Sequence, residues 1–292
     1  MTLNNSNIII TNKFILESDH DFLYHFGIDK KTGNLSEEYG DVKVVCTGGC
    51  YKRLENYAKM FAKNSGLLIS ENKCKTNRYI LYKTGPILWI SHGIGSPSLS
   101  IMLIETIKML HYANATDVSY IRLGTSGGVG VAPGTVVISS GGINGELKQE
   151  HIQYVLGNKV TTPAILDKNL QSELIETAKS LNIPYETGLT LCADDFYEGQ
   201  GRLDGAFCNY TEKDKFDFLK RIYKLGVRNF EMESTCFASL LNRANIKGAI
   251  ICVALLNRFN GDQIDMDEET YHEFELRPYK LICQYLKNKF SL

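Results

Sequence analysis

The sequence predicts an α/β fold, a three-layer α/β/α single domain around a central mixed, largely parallel sheet. Three observations predict it. Short apolar runs that end in glycine turns alternate with stretches of helical periodicity along the chain. Residues 249–256 form a near-continuous apolar run, as a central strand covered on both faces should be. No Pro/Gly/Ser-rich linker and no shift in composition divides the 292 residues. Residues 21–292 are therefore taken as one domain, and the Asn-rich residues 1–20 as a flexible N-terminal segment.

The bulk composition, 43% hydrophobic and 22% charged, is that of an average globular chain with enough apolar residues for a sizeable core. A formal net charge of -1 without a basic block argues against nucleic acid as the main partner. No apolar run reaches bilayer-spanning length, and Ile8-Ile9-Ile10 is too short for the core of a signal peptide. A cytoplasmic protein without a membrane partner is expected. Eight cysteines, at 46, 50, 74, 192, 208, 236, 252 and 283, form no C-x-x-C pair, which favours buried thiols in a reducing cytosol over a zinc site or a disulfide framework.

Residues 22–27 make a compact aromatic patch around His25, and a lone histidine there fits a packed residue better than a functional one. Residues 42–46 read as a first strand. They run into Thr47-Gly48-Gly49-Cys50 and a helix over 52–61, an anion nest with Arg53 in reach, although the spacing is neither G-x-G-x-x-G nor a Walker loop. Strands over 78–82 and 87–91 flank the turn Thr84-Gly85-Pro86. Ser96 as N-cap with Pro97 after it opens a helix with Leu99, Met102, Leu103, Ile107 and Leu110 along one stripe.

The strand over 120–123 carries Arg122 where an apolar residue is normal. Its charge is costly unless it meets an anion or a carboxylate. The residues from Gly124 to Gly128 read as the loop after it. Ligands of open α/β sheets collect beyond the carboxyl ends of strands, so this stretch fits the floor of a phosphate site. It fits equally well a glycine turn preceded by a salt-bridged arginine. A strand over 135–138 and an amphipathic helix over 167–181 follow. Thr211 with Asp214 suggests a capping box for a helix closed by Gly226. Residues 231–245 read as a helix with Met232, Cys236 and Leu240 in register. The segment from 268 onward is helical in tendency, interrupted at Pro278.

Polar groups gather at the predicted strand ends: Gly49 and Arg53, Arg122 and Thr125, Phe196 through Arg202, Glu231-Met232-Glu233, and Asn257-Arg258. Arginines with glycine N–H groups suit an oxyanion or phosphate. Phe196 could stack on a flat heterocycle, with the Gln200 amide on an imide edge and Arg202 on a second carbonyl. Glu233 could grip sugar hydroxyls. Against this, Arg202 could pair with Asp204 or Glu198, and Glu231 and Glu233 could be no more than favourable first-turn acids. The G-x-S-x-G elbow, H-E-x-x-H and the Walker motif are absent, which disfavours enzymes built on them.

In order, these residues resemble the uridine phosphorylases of the nucleoside phosphorylase superfamily, the animal type more than the bacterial. The resemblance rests on Phe196-Tyr197-Glu198-Gly199-Gln200-Gly201-Arg202, on Gly226-Val227-Arg228-Asn229-Phe230-Glu231-Met232-Glu233-Ser234, and on Leu255-Leu256-Asn257-Arg258. Tyr24-His25-Phe26, Gly48-Gly49 with Arg53, and Arg122-Leu123-Gly124-Thr125-Ser126-Gly127 match as well, so it runs from about residue 20 to the C-terminus.

The resemblance implies reversible phosphorolysis of uridine to uracil and ribose 1-phosphate, with deoxyuridine and thymidine left open as substrates. It implies that Gly49, Arg53, Arg122 and Thr125 hold phosphate, with Arg78 reaching in from a neighbouring subunit of a homodimer. His25, also from the neighbour, would touch the ribose 5′-hydroxyl, and Met232 and Glu233 would bind the ribose. Phe196, Gln200 and Arg202 would read uracil, and Arg258 would order the base pocket. No cofactor is implied beyond phosphate as co-substrate, and no metal, because Tyr79 stands where some bacterial members place a potassium-binding glutamate. Asn257-Arg258, in place of the Ser-Asp pair of the purine enzymes, favours a pyrimidine. The alternatives are a non-catalytic or regulatory nucleoside-binding paralogue and a purine-acting relative.

Overall fold

The computed structural model of the chain describes residues 8–31 and 34–292. Residues 1–7 of the expected N-terminal segment lie outside the described residues. The described chain forms two compact units, one of residues up to Arg122 together with Leu240–Gly248, the other of Leu123–Ser239 with Ala249–Leu292. The chain passes from one to the other within strands and a helix, so no linker composition marks the division.

The first unit contains, in chain order, α1 (Lys13–Leu16), β1 (Phe22–Leu23), β2 (Ile28–Asp29), α2 (Leu35–Tyr39), β3 (Val44–Gly48), α3 (Tyr51–Ser65), β4 (Leu81–Thr84), β5 (Ile87–Ser91), α4 (Gly95–Tyr112) and the start of β6 (Ser119–Gly128). β3 lies between β5 and β6, parallel to both, and β4 closes the edge antiparallel to β5. β3 and β5 are buried throughout, as their apolar sequences require. α3 turns Leu54, Ala58 and Phe61 inward, and the Phe61 ring lies 5.6 Å from Trp89. Trp89 keeps its buried indole N–H satisfied on the Thr84 hydroxyl, at 2.8 Å. Within the N-terminal segment, Ile8 is buried, its carbonyl meets His111 Nδ1, and the Ile9 N–H donates to Ala244 O at 3.0 Å.

Two local expectations shift here. Ser96 is not the N-cap of α4: the helix opens at Gly95 behind Ile94, because Gly93 and Gly95 both take positive φ and turn the chain in early. The expected apolar stripe of that helix is buried in full. β4 begins at Leu81, not at 78, because Asn72 Oδ1 takes the Leu81 and Cys74 amides and holds the preceding segment as a loop. Arg78 is therefore an exposed loop residue.

The second unit contains the rest of β6, then β7 (Val136–Ile143), β8 (Glu150–Val155), β9 (Asn158–Pro163), α5 (Lys168–Ser180), β10 (Tyr185–Cys192), α6 (Glu212–Lys224), β11 (Val227–Glu231), most of α7 (Ser234–Arg243) and of β12 (Lys247–Asn257), and α8 (Glu268–Phe290). Its strands run in the order β11-β10-β7-β12-β6, and β11 pairs again with the end of β6 through Phe230 and Gly127. The five strands thus close into a ring. β10 is parallel to β7 and β11, whereas β12 is antiparallel to β7. α6 packs Leu219 and Ile222 into the cluster formed by Ile143, Leu191, Val227 and Phe230. β8 and β9 form a separate two-stranded hairpin.

The ring corrects the reading of Gly124 to Gly128 as a loop. β6 continues through them, because closing a tight ring needs strand positions without side chains. A Cβ on Gly128 would lie 2.6 Å from Val131 Cγ2 and 2.9 Å from the Leu256 carbonyl oxygen. The register of β10 against β7 shifts at Gly188/Leu189, the kind of irregularity that lets a strand bend. Replacing Gly128 with Ala is expected to cost about 1–3 kcal/mol by overpacking, read as a lower denaturant midpoint; an unchanged midpoint would mean the ring yields at that corner.

The helix expected over 231–245 starts only at Ser234, since Glu231 still belongs to β11. α8 runs through Pro278 without interruption. The helix over 167–181 and the capping box of α6 are found as expected, with Asp167 capping the first and Thr211 and Asp214 reciprocating at the second. The chain is thus α/β with a mixed sheet and packed helices. Cysteines 46, 74, 192, 236, 252 and 283 are buried thiols, and Cys50 and Cys208 are exposed. Among the described residues no helix is long and apolar enough to cross a membrane, and no group of three or more His, Cys, Asp or Glu side chains could hold a metal ion.

Candidate active site

In the first unit, Arg122 and Gly49 come together at the carboxyl end of β3. Arg122 is 4% exposed and lies opposite Thr47 in the parallel register, two residues before Gly49. Thr47 turns its hydroxyl away, onto Ile90 O at 2.7 Å. Gly49 has to be glycine: a Cβ there would lie 2.8 Å from the Gly93 carbonyl oxygen, in backbone that cannot swing aside. α3 begins two residues later without a side-chain cap, and Arg53 sits in its first turn. An uncapped helix N-terminus, a glycine and two arginines are the groups that suit a phosphate dianion. His92, which the sequence analysis left without a role, is buried beside Gly49, with its N–H on Gly48 O at 2.9 Å.

The same unit brings His25 and Arg78 together. The Thr76 hydroxyl donates to His25 O and accepts the Arg78 N–H at 3.3 Å. His25 Nδ1 lies 2.6 Å from Glu105 Oε1, and the Glu105 carboxylate also accepts the His25 and Phe26 N–H groups. With Nδ1–H committed to that buried carboxylate, Nε2 is the nitrogen left for a ligand. Glu105 stands eighty positions away in sequence, so no local pattern announced it.

In the second unit, Thr125 is half-buried on β6. The loop after β10 carries Phe196, Gln200 and Arg202. Asp195 shapes it by accepting the Tyr197 and Gly199 N–H groups at 2.6 and 2.7 Å, which folds the single turn Glu198–Gln200. Arg202 is held flat, its guanidinium 4.4 Å from the centre of the half-exposed Phe196 ring. It also pairs with Asp204, Nε to Oδ1 at 2.8 Å and Nη2 to Oδ2 at 2.5 Å. The Asp204 pairing named as an alternative is therefore present. It uses one edge of the guanidinium and leaves Nη1 for a ligand. The pair holds the Asp204 carboxyl below the ordinary aspartate range, chiefly through this hydrogen bond.

Gln200 is 4% exposed, and among the described residues its side-chain amide makes two long contacts, 3.5 Å from Arg258 Nη1 and 3.5 Å from Asp195 O. A buried amide so loosely held can still pair with a ligand's donor and acceptor. Arg258, fully buried, donates Nη2 to Gln200 O at 2.8 Å and Nε to Asp262 Oδ1 at 2.9 Å, and lies 5.2 Å from the Phe230 ring centre. Burial pulls its pKa down, with Asp262 opposing the shift.

Met232 and Glu233 lie in the bend between β11 and α7. Glu231 accepts the Glu233 and Ser234 N–H groups, both at 3.0 Å, and so supports the start of α7 from the end of β11, three residues ahead of the helix and not in its first turn. Glu233 is 5% exposed, a buried carboxylate immediately before the helix.

The Phosphorylase superfamily profile matches residues 43–287. "Uridine and thymidine phosphorylase" of Caenorhabditis elegans is 49% identical over 99% of this chain and 98% of its own length. The crystal structure of uridine phosphorylase from Schistosoma mansoni in complex with uracil superposes with a TM-score of 0.92 at 41% identity, covering 97% of this chain and 99% of that one. "Inactive uridine phosphorylase B" of Schistosoma mansoni is 38% identical over 95% of each. With this match spanning nearly the full length, the chain belongs to the uridine phosphorylase family of the phosphorylase superfamily.

Proposed function

We propose that the chain is an active uridine phosphorylase, taking uridine and phosphate to uracil and ribose 1-phosphate. The observation that carries the reading is the loop from Phe196 to Arg202: a buried amide with spare donors and acceptors beside a guanidinium fixed by an aromatic ring and a carboxylate. Thymidine is proposed as a second substrate, since the Caenorhabditis elegans relative is named for both nucleosides.

In this reading Gly49, Arg53, Arg78, Arg122 and Thr125 hold phosphate. His25, Met232 and Glu233 hold the ribose, and Phe196, Gln200, Arg202 and Arg258 serve the base. A phosphate oxygen forms the new bond to C1′ while the C1′–N1 bond breaks and uracil leaves with the electron pair. Positive charge building on the sugar is faced by phosphate and Glu233, and negative charge on uracil by Gln200 and Arg202. Holding both reactants in line contributes about 7 kcal/mol or more. No side chain becomes covalently attached and no cofactor is needed, with phosphate as co-substrate. A cytosine, whose N3 carries no proton, would leave a buried group of Gln200 unpaired at a cost of about 1–3 kcal/mol.

A homodimer with shared sites is part of the proposal. It is supported by the way Thr76 presents His25 and the exposed Arg78 together. A cytoplasmic location is supported by the free thiols. The expected result is loss of uridine ultraviolet absorbance only when phosphate is present, with inosine unchanged. Uracil binding by calorimetry without any phosphate-dependent loss would favour a non-catalytic protein, like the relative named inactive. Loss with inosine alone would favour a purine enzyme.

A further inference from the structure

We infer that Asp262 is the positioning residue of the base-reading loop, gripping it on both sides of Arg202. The inference rests on the proposed role of Gln200 and Arg202 in reading uracil.

Asp262 is 9% exposed and satisfies three donors from three separate stretches of the second unit. Its Oδ1 accepts Arg258 Nε at 2.9 Å. Its Oδ2 accepts the Leu203 N–H at 2.9 Å and Lys215 Nζ, from α6, at 2.8 Å. Arg258 in turn donates to the Gln200 carbonyl at 2.8 Å. One carboxylate therefore fixes the residue two before Arg202, through Arg258, and the residue immediately after it, directly. Lys215, 4% exposed on a helix, anchors the carboxylate to a rigid element. The Tyr210 hydroxyl donates to the carbonyl of Arg202 itself, so the backbone of 200, 202 and 203 is tied down in sequence. Nothing comparable is needed merely to close the loop, which already has Asp195 at its start and the Arg202–Asp204 pair at its end.

The arrangement has a directional consequence. Both groups of Gln200 that Arg258 contacts, the main-chain carbonyl and Oε1, lie on one side of the residue. The side-chain amide can meet a ligand only in the orientation that Arg258 leaves open. Arg258 keeps its own orientation because its Nε is bound to Asp262. Geometry at a reading group is worth more than its mere presence, since small displacements of a positioned group cost large factors in binding and rate.

The test is Asp262→Asn in the full chain. The amide still accepts the Leu203 N–H but loses its charge toward Arg258 and Lys215. Calorimetric Kd for uracil is expected to weaken about tenfold, the loss of one charge-assisted hydrogen bond. KM for uridine should rise with it, while KM for phosphate stays unchanged. A lower kcat with both KM values and the uracil Kd unmoved would mean that Asp262 only stabilises the fold, and would overturn the inference. Should that variant not fold, Lys215→Gln frees the carboxylate from its anchor and is expected to weaken uracil binding in the same direction; an unmoved Kd there would overturn the inference equally. The wild-type protein separates the two levels. If it neither binds uracil nor consumes uridine, the functional reading and this inference fall together. If it does either and the variants bind uracil as tightly, this inference alone falls.

Discussion

Arg122→Met is expected to lower kcat/KM for uridine phosphorolysis by about 100- to 1,000-fold while leaving the protein folded. Methionine preserves most of the buried volume next to Thr47, so packing within β6 and against β3 is largely kept. What disappears is a charged fork 4% exposed at the end of two parallel strands, where no water can substitute for it. Removal of a single preorganised donor from an anion site typically costs this factor. Removing one partner of a buried interaction is destabilising, so the melting midpoint should fall as well, and activity is compared at a temperature where the variant is folded by circular dichroism. Arg122→Lys keeps the charge but not the two-pronged geometry and should fall between the two. Wild-type turnover in Arg122→Met would remove Arg122 from the phosphate set.

The second large effect is on stability. Arg258→Met should destabilise the protein by about 3 kcal/mol. Breaking a buried pair by removing one partner costs about 3–5 kcal/mol, and the lower end applies because Asp262 keeps Lys215 at 2.8 Å and the Leu203 N–H at 2.9 Å. At roughly 2 °C per kcal/mol for a large domain, the melting midpoint should drop by about 6 °C. The pH profile should change as well. Burial alone would raise the Asp262 pKa, but the Leu203 N–H, Lys215 and Arg258 more than offset this and hold it below the ordinary 3.8. The folded carboxylate thus resists protonation more than the unfolded one. It contributes stability above that value and loses it as the pH falls below. Without Arg258 the contribution is smaller, so the stability gap between variant and wild type should narrow in acid. A gap that stays constant down to low pH would mean that the variant loses only packing against Phe230.

Arg122, Gly49 and Gln200 could be picked out as candidates because each breaks a local pattern: a charge in an apolar strand, a glycine at a strand end, an amide between glycines. Asp204 was legible as a partner of Arg202 because it lies two residues away. Asp262, Lys215 and Glu105 were not, since each meets its partner only after the chain has folded back from a distant segment. In the fold, the buried strands β3, β5 and β12 stood out by their apolar runs. β8 and β9 did not, because they are exposed over much of their length, and β10 begins in polar sequence. β11 did not because, although buried, it carries Arg228, Asn229 and Glu231 among its five residues. The glycines after Arg122 were misread for a physical reason. Glycine signals backbone freedom to a reader of sequence, whereas here it signals the absence of room.

The pairing of Gly127 with Phe230 has a kinetic side. These two positions are far apart in the chain, and the ring cannot close until β7, β10 and β12 are already aligned. Such non-local closure makes the second unit a slow folder compared with a helical assembly of its size. Until it closes, both β6 and β11 present unpaired amides and carbonyls to any neighbouring chain, and afterwards none of the five strands has a bare flank. During synthesis or refolding this unit is accordingly most prone to clump in the interval before its last seam zips.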